Sequence, residues 1–344
     1  MKHVFREAAI VLVLLCCGLS SNFASTADPS KVVEVESRME KVDGIYFFGY
    51  DGLDLKKIKK SIKLKVGDEV DSMKFYRGGD IYFPDVKKIT GKPVTDTCLV
   101  NIGHGKHIVF VGLPGKSNTD VDSYVQVGET RVQVPEEIEK TYNELMEELP
   151  QYLKTREESR KKHMRDLEVQ LKEQARPKRA ELRKSLLESK NTLDRGVAAF
   201  SLGLVAEDYA DFDAVTRAAK DPSSLVRNNS TRELGVLLEE KPELVSMIRE
   251  DSLAVYANMI NSRTWTDRNK SVFMMLCLSK NRDPRVLSLL KKNSLASLKE
   301  MVLWPEGYAG PALTLLGRVG GLPDEQIEKL IAEKNSAAIL DSIK

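Results

Sequence analysis

Apolar residues change their spacing along the chain, and the change divides it. From Val42 the run Asp43-Gly-Ile-Tyr-Phe-Phe-Gly49 is β-branched and aromatic, of strand length and bounded by glycines. Asp54 then stands as a helix cap before Leu55-Lys-Lys-Ile-Lys-Lys-Ser-Ile62, whose apolar residues recur at helical spacing. Leu64-Lys-Val-Gly67-Asp-Glu69 closes that helix with a turn. A second, poorer helix is predicted between Ser72 and Ile89, interrupted by Gly78-Gly79 and Pro84. Thr95–Ile102 and His107–Leu113 follow as alternating strands around Gly103-His-Gly105, which predicts a hairpin. Two brief strand-like pieces, Tyr124–Val127 and Thr130–Val134, close a predicted α+β domain over 42–134 with the order β-α-α-β-β.

The spacing then turns helical for the rest of the chain. Over 135–190, Leu145, Leu149, Leu153, Met164, Leu167, Leu171, Leu182 and Leu186 fall three and four apart among dense charges of both signs. This predicts a charged helical connector, a long helix or helical pair with a solvated face, broken or kinked at Pro150 and Pro177. Over 191–344 one idea recurs, a polar turn, an Arg and an apolar helical run. The copies are Asn191-Thr-Leu-Asp-Arg195, Asp221-Pro-Ser-Ser-Leu-Val-Arg227 and Thr264-Trp-Thr-Asp-Arg268, each continuing into apolar sequence. The three arginines stand 32 and 41 residues apart, inside the range of two-helix solenoid repeats. Shorter apolar helices are predicted between and after them: Phe212–Ala219, Leu253–Ile260, Pro284–Leu290, Leu295–Leu303, Tyr308–Val319 and Gln326–Ala332.

Asp221-Pro-Ser-Ser-Leu-Val-Arg227 resembles the inter-helix motif of HEAT repeats, including the HEAT-like repeats of bilin lyases. The β-α-α-β-β order, with the Gly49 turn and Lys65-Val-Gly-Asp68, resembles the POTRA domains of outer-membrane assembly and secretion proteins. Gly78-Gly79-Asp80 departs from an ordinary second helix of that domain. Together the two parts resemble exported bacterial HEAT-repeat proteins with a POTRA-like front domain, whose activity is not established. The resemblance implies an all-α HEAT-like solenoid behind an α+β domain. A stack of helical hairpins presents a surface rather than a reaction centre, so partner binding on the solenoid is expected, and the POTRA resemblance implies β-augmentation at a sheet edge of the front domain as the alternative.

Composition changes this picture in three places. Charged residues make up 30% of the chain, yet the net charge is only +2 and aromatics are 6%, which speaks against a nucleic-acid partner. Lys2 and Arg6 precede the apolar run Ala8–Leu19, and small residues follow with Ala24 and Ala27 as cleavage points. This predicts a signal peptide over 1–27, a linker over 28–41, and a secreted or periplasmic protein with no membrane segment after cleavage. Lipid attachment at Cys16 or Cys17 is disfavoured because Leu15 or Cys16, not a small residue, precedes each. After cleavage Cys98 and Cys277 remain, read as two buried thiols rather than a required bridge.

Candidate chemistry is sparse. Arg is suited to carboxylates, but turn Asp and helix Arg in HEAT-like stacks commonly bond along the array, so Asp194, Arg195, Arg227 and Asp267 are read as a structural ladder. Trp265, Arg268, Trp304 and Tyr308 lie in or beside inter-helix turns and are the candidate binding contacts. For Trp265 two readings stand open, a binding hot spot and a lid over the core. His104 and His107 flank a hairpin turn and point to opposite faces, which is poor for chelation, so no metal is expected. Ser, His and Asp side chains assemble no triad with His104, His107 or His163. No cofactor and no catalytic residue are assigned. The expected function is a non-enzymatic scaffold that binds a protein or peptide. A factor in envelope assembly and, behind it, a lyase-type enzyme on a HEAT-like scaffold are the alternatives.

Overall fold

In the computed structural model the described residues are 38–343 apart from 73, 76–78, 104, 120–123 and 156. The expected signal peptide, most of the linker and His104 lie outside them. The chain divides into two compact units. One holds Ser123–Ser252 with Asn101–Gly105; the other holds Val33–Val100, Lys106–Asp122 and Leu253–Lys344. The helices from Leu253 onward therefore group with the strands, and residues 135–190 group with the helices up to Ser252, a division unlike the one drawn from sequence.

In the strand-bearing unit, β1 (Met39–Phe48), α1 (Leu55–Ser61), β2 (Glu69–Asp71), a 3-10 turn (Gly79–Tyr82), α2 (Pro84–Thr90), β3 (Asp96–Asn101) and β4 (His107–Gly112) build a four-stranded sheet of order β2-β1-β4-β3. β1 runs antiparallel to β2 and parallel to β4, pairing Tyr46 with Phe110 and Phe47 with Val111. Asp54 caps α1 by accepting from the Lys57 amide. The poorer helix expected over Ser72–Ile89 is represented by a turn of 3-10 helix and by α2, which starts at Pro84, where a missing N–H costs nothing. Ahead of them the Gly67 turn brings Glu69–Asp71 back onto β1 as an extra strand.

Side-chain alternation gives the sheet two apolar faces. Phe47, Val109 and Val111 join Ile58 of α1 and Val86 of α2 in one core. Tyr46, Phe48 and Phe110 point to the other face. All six residues of β4 are buried, as befits a strand covered on both sides. The second cover comes from helices that lie after Leu253 in the chain.

That other unit opens with Glu136–Thr155 (α3) and Glu158–Ala175 (α4), an antiparallel hairpin in which Arg160 pairs with Glu148 at 2.8 Å and Gln170 donates to Thr141 at 3.3 Å. Its thin apolar stripe suffices to bury one face: Leu145, Leu149, Met164, Leu167 and Leu171 are all in the core. Pro150 sits inside α3 without ending it, and Pro177 falls in a 3-10 turn before α5 (Arg179–Glu188). The strand-like pieces expected over 124–127 and 130–134 reduce to one bridge between Thr130 and Ser189.

α6 (Thr192–Gly203), α7 (Tyr209–Ala218) and α8 (Ser224–Glu240) complete this unit. α6 and α8 pack side by side and run parallel. Near their starts Asn229 donates to the Gly196 carbonyl at 3.0 Å, and near the end of α6 a Cβ on Gly203 would lie 2.7 Å from the Glu233 Cβ. Only glycine permits that approach. The hairpin lies on α6 through Tyr142, whose ring meets Phe200 edge-on at 5.2 Å and whose hydroxyl accepts from Asn229 at 3.2 Å. α8 is thereby buried almost all round, including Arg227, Asn229, Arg232 and Glu233.

The unit division falls inside α9 (Glu250–Met259). The strand-bearing unit continues with α10 (Trp265–Leu278), α11 (Pro284–Asn293), α12 (Leu295–Met301), α13 (Glu306–Val319), α14 (Asp324–Ala332) and α15 (Ser336–Asp341). α10 packs on β4 and α12 on β1. No helix among the described residues is long and apolar enough to cross a membrane.

Gly203→Ala is expected to lower unfolding free energy by about 1–3 kcal/mol, the usual cost of overpacking a tight contact. Urea unfolding of the two proteins side by side measures it.

Candidate functional site

The four candidate contact residues come together, and they do so inside the strand-bearing unit. Trp265 and Arg268 are fully buried, and Trp304 and Tyr308 are 5% and 4% exposed. They do not form the exposed partner-contacting surface expected from the sequence, because the second face of the sheet occupies them. Phe110 stacks on Trp265 at 4.6 Å and meets Trp304 and Tyr308 edge-on at 5.0 and 5.5 Å. Trp304 donates from Nε1 to the Phe47 carbonyl at 3.2 Å, and the Trp265 amide donates to Asp96 at 2.7 Å. Of the two readings of Trp265, its place is over the core.

Beside this aromatic cluster lies a polar centre. Directly after β1, Gly49 with a φ of +70° turns the chain, and the amides of Gly49, Tyr50 and Asp51 point the same way. All three donate to the Glu300 carboxylate of α12: Gly49 to Oε2 at 2.7 Å, Tyr50 and Asp51 to Oε1 at 2.8 and 2.9 Å. Ser117 adds its hydroxyl to Oε1 at 2.6 Å, and Arg268 Nη1 approaches Oε2 at 3.4 Å. A run of amides cradling an oxyanion is an anion-binding nest, and here a side chain of the same chain fills it.

Arg268 also holds the loop that carries Ser117. Its Nε donates to the Ser262 carbonyl at 2.6 Å, and its Nη2 donates to the Ser117 carbonyl at 2.7 Å and to Asn118 Oδ1 at 2.6 Å. Burial pulls the Arg268 pKa down to about 10, against the charge of Glu300, so the guanidinium stays protonated at neutral pH. Burial and then the Glu300 charge push the Tyr50 phenol up to about 12, leaving it neutral. Five donors thus surround the two oxygens of Glu300. The arrangement is a clamp.

The ladder residues tie turns to helices. Arg195 pairs bidentately with Asp221 at 2.7 and 3.1 Å, and Asp194 receives Arg131 at 2.7 and 3.2 Å rather than its neighbour Arg195. Asp267 accepts from Ser262 at 2.8 Å. One device recurs in all three sequence copies. Arg195, Arg227 and Arg268 each donate to the carbonyl six residues back, that of Ser189, Asp221 and Ser262, at 2.9, 2.8 and 2.6 Å.

In the helical unit a second buried charge group pairs Arg232 with Glu233, and the Arg232 guanidinium lies 4.8 Å from the Phe200 ring centre. Burial holds the Glu233 carboxyl above the ordinary carboxylate range, with Arg232 opposing and Glu168 reinforcing. On the outside of the same unit, α5 and α7 border a groove of about 440 Å³ lined by Ala180, Arg183, Lys184, Leu187, Tyr209 and Asp213. Tyr209 is half exposed there.

His107 is buried with its Nδ1 3.4 Å from Glu40, and no group of three His, Cys, Asp or Glu side chains placed to hold a metal stands among the described residues. Cys98 and Cys277 are half-buried and not joined to each other. Sequence reasoning missed Glu300 altogether, since Lys299-Glu300 in a short helix reads as a solvated charge pair. It also missed Phe110, although the unbroken apolar run Ile108–Val111 signals a strand covered on both faces. Comparison with protein-family models, with curated proteins and with solved structures found no match.

Phe110→Ala is expected to cost about 3–5 kcal/mol of stability, as for other buried aromatics. Denaturant unfolding reports it, with Tyr209→Ala as a near-neutral surface control. Glu233 sets a pH dependence of known sign. A carboxyl whose folded pKa lies above its unfolded value loses protons more readily when unfolded, so stability falls as pH climbs from the ordinary carboxylate range through the raised value. Glu233→Gln is expected to flatten that part of the slope in unfolding midpoints measured from pH 4 to 8.

Proposed function

We propose that this protein is a non-enzymatic, secreted or periplasmic scaffold that binds a protein or peptide over the outer surface of HEAT-like repeats. The observation that carries the reading is the register of α6 on α8. Equivalent positions lie about one repeat apart: Gly196 against Asn229 and Gly203 against Glu233, 33 and 30 residues. Stacked repeats place the same helix of successive copies side by side and parallel. The arginine bond to the carbonyl six residues back, made in each copy, supports the same reading. The partner surface is the α5–α7 groove. It combines small residues at 180 and 210, an exposed aromatic at 209 and charges of both signs, a lining suited to a mixed-charge peptide with an apolar anchor.

A second reading is β-augmentation. It rests on β3, which stands at the edge of the four-stranded sheet, and on the resemblance of that sheet's connectivity to POTRA domains. A photo-crosslinking residue placed at Tyr209 of the full chain in its host cells is expected to capture one discrete partner, with capture lost on Leu187→Asp. Capture from Thr97 on β3 and none from position 209 transfers the function to the sheet edge; capture from neither overturns both readings. Export is read from the protein recovered outside the inner membrane, whose N-terminus is expected at residue 25 or 28, after Ala24 or Ala27.

A further inference from the structure

The nest that Glu300 fills is held in shape by bonds that do not involve Glu300. Gly115 donates to the Gly49 carbonyl at 2.7 Å, Lys116 to the Asp51 carbonyl at 2.8 Å, and Leu113 to the Phe48 carbonyl at 2.8 Å, so both ends of the donor loop are fixed from behind. Leu53 donates to Tyr50 at 2.9 Å and closes its turn. Arg268 is anchored by Ser262, Ser117 and Asn118, and the loop bearing Ser117 is further held by Ser297, which donates to the Ser117 carbonyl at 3.1 Å. The donors therefore converge on one point whether or not a carboxylate stands there. Arg268 and Ser117 are 0% and 5% exposed, so little water reaches the two side-chain donors.

We propose that Gly49–Asp51, Ser117 and Arg268 form a preorganised carboxylate-binding site whose resident ligand is the chain's own Glu300, so that α12 enters the fold as a tethered ligand. The chemistry selects the class of ligand. Two donors face one oxygen and three the other, with one fixed cation, which matches a planar monoanion with two acceptor oxygens. Removing Glu300 beyond Cβ leaves a space of the shape of acetate, whose methyl replaces Cγ. A neutral acetamide presents an N–H₂ group to donors and does not fit.

The test is chemical rescue of the full chain. Glu300→Ala is expected to unfold at a lower temperature than the native protein, and sodium acetate to raise its Tm along a saturable curve. Sodium chloride at equal ionic strength and acetamide are expected to leave that Tm in place, and acetate to leave the native Tm in place. An acetate shift no larger in Glu300→Ala than in the native chain overturns the proposal. Should Glu300→Ala not fold, its recovery on refolding from urea in acetate against chloride gives the same reading, recovery in acetate alone supporting the site and equal recovery overturning it. Glu300→Gln provides an independent arm, because it keeps the volume and removes the charge. It is expected to be less stable than the native chain and indifferent to acetate; equal stability to the native chain shows that the nest does not require a carboxylate and overturns the proposal.

Discussion

The strand-bearing unit depends on one electrostatic constraint, the delivery of the Glu300 carboxylate to three amides that the turn after β1 leaves pointing inward. Amides that lose their acceptor on burial cost about 1–3 kcal/mol each, and with the Gly49 amide buried and those of Tyr50 and Asp51 part-buried such losses fall hardest at the end of β1. The chain avoids them by bringing an acid from 249–251 residues away in sequence and balancing its charge with Arg268. Because Glu300 is on α12 and Arg268 on α10, the same contact fixes where both helices lie on the sheet. The aromatic cluster around Phe110 then supplies the apolar burial that the polar clamp alone does not. The clamp selects the arrangement and the rings stabilise it, a division of labour common where buried charge and apolar packing meet.

In the helical unit the governing constraint is the close, parallel approach of α6 and α8. Gly203 permits the approach. The arginines restrain the turns, each reaching back to a carbonyl six residues earlier, just past the end of the preceding helix, where carbonyls lack intrahelical partners. The bidentate Arg195–Asp221 pair links the first turn of α6 to the turn before α8. The α3–α4 hairpin covers the face on which Tyr142, Phe200 and Asn229 meet, while α5 and α7 border the groove on the outside of the unit.

The alternating and helical spacings, the Asp54 cap, the neighbouring strands β3 and β4 and the Arg-bearing turns were legible as patterns because each is decided by residues close together in sequence. Local signals also located β1, β3, β4 and most helix starts, and the Arg periodicity marked the repeated turn. They failed where the outcome rests on distant partners. β2 reads as part of a turn because three residues carry no period, and only β1 makes them a strand. Trp265, Trp304, Arg268 and Tyr308 were singled out as unusual residues beside turns, and that is what they are; their burial comes from a sheet face that lies more than 150 residues earlier in the chain.

By itself, then, the sequence determined the class of each segment, the mixed small domain elements first and helices thereafter, and the points at which the chain turns. Tertiary structure decided which segments share a core. It placed the helices after Leu253 with the strands, covered β4 on both faces, and turned an ordinary Glu in a seven-residue helix into the central ligand of its unit. The physical reason is that periodicity reports only that a face is apolar, while the identity of its cover is set by shape and by unpaired polar groups that must find partners anywhere along the chain.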